Sequence, residues 1–190
     1  YPTLLASNGA RHGNTPPTVF MGPLKDRELN GFQSVNANGD DNNNLDDEDG
    51  VILPASLAQG QTYTGNITTT YVGAFLTGWI DFNSDGDWSD AGEKIISDQV
   101  TVSGNNNFTF TVPAAAALGN TYARFRICTN QGLSFNGHAE NGEVEDYRIA
   151  IVQAEDFGDA PDPSYPTLLA SNGARHVISG LKLGALIDGE

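Results

Sequence analysis

The sequence predicts an all-β fold, and three observations carry the prediction. Between residues 51 and 152, short runs rich in Val, Ile, Thr, Phe and Tyr recur: VILPA, TYTGNITTTY, AFLTGWIDF, KIISDQVTV, FTFTV, TYARFRICT and VEDYRIAIV. Turn signals such as AQGQ, SGNNN and ALGN stand between them. No stretch keeps a helical period for more than about two turns. Strands in that number and spacing bury their apolar faces by packing two sheets together. The expectation is an antiparallel Greek-key, Ig-like β-sandwich with an extended acidic linker segment. Three units follow: 1–49 as linker and entry segment of one repeat, 50–153 as the sandwich, and 154–190 as the start of the next repeat.

The entry segment shows the repeat directly. YPTLLASNGARH fills residues 1–12 and returns unchanged at residues 165–176, where DFGDAPDPS precedes it. Periods of about 20 to 50 residues build solenoids, whereas a period as long as this one strings whole domains in series. Beyond the identical block the copies align loosely, through Gly22 with Gly184, Leu24 with Leu186, Asp26 with Asp188 and Glu28 with Glu190. Residues 36–50 then read NANGDDNNNLDDEDG. That run is either a self-repelling spacer or, since it stands against the first strand, a second calcium site built from Asp40, Asp41, Asp46, Asp47 and Asp49.

The third strand runs into DFNSDGDWSDAGE, residues 81–93, around which the rest is organised. Asp81, Asn83, Asp85 and Asp87 place side-chain oxygens at alternate positions, Gly86 supplies a sharp turn, and Asp90 and Glu93 follow within reach. Hard oxygen donors at such density suit a hard cation, and D-x-N-x-D-G is the first half of an EF-hand calcium loop. The second half departs from it: Gly92 stands at the twelfth position and Glu93 comes one later. The flanks are β-branched and aromatic, so the loop joins two strands rather than two helices. Asp, Asn and Gly also form plain solvated turns. What favours calcium is the mutual repulsion of these acids with only Lys94 beside them.

In the seventh strand Glu143 and Glu145 share a face with Tyr147, Ile149 and Ile151. Carboxylates entering on a core face are costly unless paired or metal-bound, which makes both candidate ligands at the calcium end. In the following linker Asp156, Asp159 and Asp162 recur every third residue among prolines. Those prolines make a stiff spacer. Asp156 and Asp159 are also candidate calcium ligands that would rigidify the junction between beads.

Composition excludes several functions. The 190 residues carry a formal net charge of -15 with only 9 Lys and Arg, so no basic surface exists for nucleic acid or an anionic membrane. No apolar run reaches the roughly 18 residues of a membrane span, and residues 1–12 lack the features of a signal peptide, so any export signal is expected outside this sequence. Cys128 is alone, which rules out an intrachain disulfide and Cys-based zinc spacing. The three histidines, His12, His138 and His176, include two copies of one repeated position, and no nucleophile elbow, phosphate loop or HExxH occurs. The chain is not expected to be an enzyme. Abundant Gly, Asn and Thr with scarce Lys suit an extracellular, calcium-rich setting.

NGEVEDYRI at residues 141–149, together with WIDFNSDGDWSDAGE, the acidic run ending in DDEDGV and the segment DFGDAPDPSYPTLL…GARH, resembles the GEVED-type domain of large secreted and cell-surface bacterial proteins. The stretch MGPLKDRELNGF departs from that pattern, which usually keeps more acids there. The resemblance implies a repeated extracellular β-domain of adhesin-like or matrix proteins, with calcium expected. Two functions are carried forward. One is a calcium-stiffened structural bead whose neighbours are copies of the same repeat. The other is a calcium-dependent glycan-binding module in which Trp79, Trp88 or Phe135 stacks on sugar.

Overall fold

Residues 1–25, 30–39, 48–178, 181 and 183–185 are described by the structure, a computed structural model. Its strands are β1 (Arg11–His12), β2 (Val51–Ile52), β3 (Ser56–Ala58), β4 (Thr62–Thr69), β5 (Phe75–Ile80), β6 (Lys94–Val100), β7 (Gly104–Thr111), β8 (Gly119–Cys128), β9 (His138–Ala139), β10 (Glu143–Val152), β11 (Glu155–Phe157) and β12 (Arg175–Val177). Each of the seven apolar runs is found in a strand. The first differs in detail: β2 takes only Val51–Ile52 of VILPA, Pro54 withdraws a backbone donor, and β3 begins just after the run at Ser56.

Two sheets pack face to face. One has the order β3-β10-β8-β5-β6 and the other β2-β4-β7, so the chain changes sheet on either side of β3, between β4 and β5, and again on either side of β7. The sandwich is mixed rather than wholly antiparallel, since β3 pairs with β10 in parallel. The break at Pro54 allows this: it lets the chain leave β4 and cross to the edge of the opposite sheet. Alternation then fills the core. β7 turns Phe108 and Phe110 inward, β8 contributes Ala123, Phe125 and Ile127, and β10 contributes Ile149 and Ile151. Each large side chain so buried stabilises the fold by roughly 1.5–3 kcal/mol.

The outer face of the larger sheet is also covered. Arg124 and Arg126 alternate with the core residues of β8, yet each is only 1 % exposed. Their cover is the entry segment and the 129–142 connection: β1 lies parallel to β9, and Val19 and Met21 continue inward to join the core. Farther along, β11 and β12 form a separate antiparallel pair. Among the described residues no helix is long and apolar enough to cross a membrane.

Candidate functional site

The 81–93 loop joins β5 to β6, and its acids divide into two groups. Asp81 is fully buried: Oδ1 accepts the Ser84 N–H at 2.6 Å, and Oδ2 accepts the Gly86 N–H at 3.1 Å. Gly86, at φ 100, makes the turn that a side chain would strain. Glu93, 2 % exposed, closes the loop by accepting the Phe82 N–H at 3.2 Å and the Asp90 N–H at 3.1 Å. Burial raises the Glu93 carboxyl above its ordinary range despite those amides.

Between these two anchors the side chains of Asn83, Asp85 and Asp87 each accept the N–H two residues on. Such successive side-chain turns coil the backbone tightly. The hydroxyl and N–H of Ser89 hold the half-buried Asp87 carboxyl below its usual range. The coil brings ligand oxygens of Asp85, Asp87 and Asp90 within 4.8 Å of one another. Asn83 Nδ2 donates to Asp85 and Asp90, at 3.2 and 2.7 Å. Of the six positions proposed as ligands in this loop, three converge at the surface, two frame them from within, and Asn83 bridges. The convergent set is all hard oxygen, which fits a divalent cation.

A second polar centre lies beside the loop, where the entry segment is clamped. Tyr1 packs its ring 4.7 Å from that of Trp88 and donates its hydroxyl to Asp81 Oδ2 at 2.5 Å. Burial, and then the carboxylate, raise the pKa of that hydroxyl. Arg124 stacks 4.5 Å over Trp88, grips Asp146 through two nitrogens at 2.7 and 2.6 Å, and donates Nη1 to the carbonyls of Pro2 and Phe135. Arg126 donates to the carbonyls of Arg11, Ser134, Asn136 and Gly137, and its Nε–H goes to His12 Nε2 at 2.9 Å. His12 Nδ1 donates to Asn141 O at 2.6 Å, so its Nε2 is free to accept. Burial first, and then the charge of Arg126, depress the imidazole pKa to about 3, which keeps the ring neutral.

The GEVED stretch forms the wall of this clamp. A Cβ on Gly142 would stand 1.8 Å from Ile127 O and 2.8 Å from His12 Nδ1, so only glycine admits the histidine there. Glu143 Oε2 accepts the Met21 N–H at 2.6 Å. Glu145 accepts the Gly50 N–H at 3.3 Å and the Tyr147 hydroxyl at 2.7 Å. The core-facing placement read from alternation is therefore present, and the motif's acids reach backbone of the entry segment and its approach to β2.

The remaining predicted ligands are spread out. Asp49 turns a carboxylate oxygen toward Gly22, whereas Asp40, Asp41, Asp46 and Asp47 lie outside the described residues. Asp156 sits on β11 opposite His176, and Asp159 is exposed. Among the described residues, Asp85, Asp87 and Asp90 are the one group of three or more such side chains gathered at metal-binding distance. Sequence reasoning missed the role of Arg124 and Arg126. Their signal was ARFRI, two arginines on one strand face in a chain poor in basic residues.

A family model described as the GEVED domain matches residues 75–150. That stretch is a GEVED domain. The match takes in the 81–93 loop, both clamping arginines and the name motif, and leaves out the entry segment that the GEVED domain holds. No curated protein and no solved structure matches the chain.

Proposed function

We propose that this chain is a non-catalytic, calcium-binding structural module of a secreted or cell-surface bacterial protein of adhesin or matrix type. The observation that carries the reading is the convergence of Asp85, Asp87 and Asp90 in a loop whose buried anchor, Asp81, also holds Tyr1 of the entry segment. A cation there stiffens the loop, and the loop is bonded to the segment through which one repeat leads into the next. Calcium supplies charge neutralisation and fixed geometry. The protein supplies a coil already closed by Asp81 and Glu93.

The acids and histidine nearest the entry segment support a structural role. Asp146 is gripped by Arg124, Glu143 and Glu145 accept backbone N–H groups, and His12 is locked between Asn141 and Arg126. The glycan reading loses ground, because Trp79 and Trp88 are only 3 % and 2 % exposed, which leaves the half-buried Phe135 as the one candidate stacking ring of the three. A tandem array of such beads gains length in proportion to copy number and rigidity from each junction.

Calorimetric titration with calcium tests the proposal. Extracellular calcium modules bind at about 0.1 to 1 mM, and a site in that range is expected for the native chain and lost in Asp87→Ala. Absence of saturable heat up to about 10 mM calcium, ten times the weak end of that range, would overturn it.

A further inference from the structure

Residues 1–12 and 165–176 have one sequence and one local shape but different surroundings. Each forms a single 3-10 turn, Leu5–Ser7 or Leu169–Ser171, closed by an asparagine at φ 54. The Gly9 and Gly173 N–H groups donate at 2.9 Å to the carbonyls of Leu4 and Leu168, and Arg11 and Arg175 each reach back to the asparagine and glycine before them. The first copy is docked, with Tyr1 on Asp81 and His12 on Arg126. The second leaves Tyr165 63 %, Leu168 59 % and Leu169 65 % exposed. Among the described residues it holds the docked shape outside the clamp, so little conformational freedom remains to be lost on binding.

Backbone parity shows that, among the described residues, the second copy also has the correct edge open. In the docked copy, the N–H groups of Arg11 and Gly13 donate to Gly137 and Ala139 across the parallel pair β1–β9. Val177 and Arg175 hold the equivalent positions in the second copy. There the Ile178 N–H donates to Ala154, on the β11 side. Alternation along a strand then turns the N–H groups of Arg175 and Val177 to the opposite edge. The hairpin β11–β12 can therefore add to a β9 edge without breaking its own pairing.

We propose that residues 165–177 dock in the clamp of a second copy of this chain, as residues 1–13 dock in their own. Tyr165 takes the Asp81 hydroxyl site, Pro166 O accepts from Arg124, and His176 enters between Arg126 and Asn141. The donor segment and the acceptor clamp are different surfaces, so the contact is heterologous and propagates head to tail. The resident first copy is the competitor, and weakening it opens the clamp. The contact is made by the arginines and by Asp81, which loop amides already fix, rather than by Asp85, Asp87 and Asp90, so it does not depend on the loop being filled.

The test uses the full chain carrying His12→Ala and, as probe, a synthetic peptide of residues 163–178. The peptide should raise the melting temperature of the variant by about 4 °C or more at saturation, both in calcium and in EDTA. A peptide carrying His176→Ala should not. Should His12→Ala fail to fold, Tyr1→Phe, which loses only the hydroxyl bond to Asp81, serves as acceptor with the corresponding Tyr165→Phe peptide as control. By light scattering the singly substituted chain should grow with concentration, and His12→Ala with His176→Ala should remain a monomer. Equal melting shifts from native and substituted peptides, or equal masses for the single and double variants, would overturn the proposal. Loss of calcium binding with docking intact would leave it standing and count only against the cation reading.

Discussion

Asp85, Asp87 and Asp90 lie at the surface of a loop with their oxygens turned toward one another, whereas Glu143, Glu145 and Asp146 reach away from one another into the protein. Both groups are carboxylates on one sandwich, the loop following Ile80 at the finish of β5 and the motif opening β10 level with Leu76 near its start. In the loop, one oxygen each of Asp85 and Asp87 accepts a backbone N–H, which leaves their other oxygens, with Asp90, to gather charge that a cation can neutralise. In the strand motif, the carboxylates themselves satisfy buried donors: an amide of Met21, an amide of Gly50 and the guanidinium of Arg124. Crowded acids thus have two stable solutions, a shared ion or separate hydrogen bonds. The second is cation-independent stability.

The largest expected effect lies on the strand-motif side. Arg124→Ala strips Asp146 of its bidentate partner and leaves two carbonyls without a donor, which should cost about 3–5 kcal/mol. Chemical denaturation should show that loss equally in calcium and in EDTA. Glu145→Ala leaves the Gly50 N–H and the Tyr147 hydroxyl unmet, for about 2–3 kcal/mol, again in both media. A loss that vanishes in EDTA would move Glu145 to the cation side of the comparison.

Acid sharpens the contrast further. His12 is held neutral with a pKa near about 3 against the ordinary 6.5, so between those values the unfolded chain binds a proton that the folded chain refuses. Its stabilising contribution is complete above pH 6.5 and is lost as pH falls toward 3, at about 1.4 kcal/mol per pH unit. Stability curves of native chain and His12→Gln should therefore converge with acid over that window, and parallel curves would contradict the buried neutral imidazole. The smallest effect is expected in the loop: Asp85→Ala in EDTA should stay within about 0.5 kcal/mol of the native chain, as for other exposed positions.

Much of this was legible in the sequence. Alternation placed the strands, and it set Glu143 and Glu145 on the core face with Tyr147 and Ile149. The D-x-N-x-D-G spacing located the loop that gathers Asp85, Asp87 and Asp90. The parallel pairing of β3 was hidden, because periodicity fixes which face a side chain takes but not which neighbour the strand finds. The division of labour within the loop was hidden too. Asp81 and Asp85 look alike in a string, and only the path of the chain buries one beneath Tyr1 and exposes the other. Arg124 and Arg126 were concealed for the same reason, since their partners are backbone carbonyls that carry no residue-type signal.

The most direct test of the cation loop is the difference in thermal stability of the native chain between calcium and EDTA, set against the same difference for Asp87→Ala. Calcium at about 100 times its dissociation constant should add about 2.7 kcal/mol, roughly 5–10 °C for a chain of this size. The variant should show almost none of that gain. A native chain that melts at one temperature in both media would contradict the account.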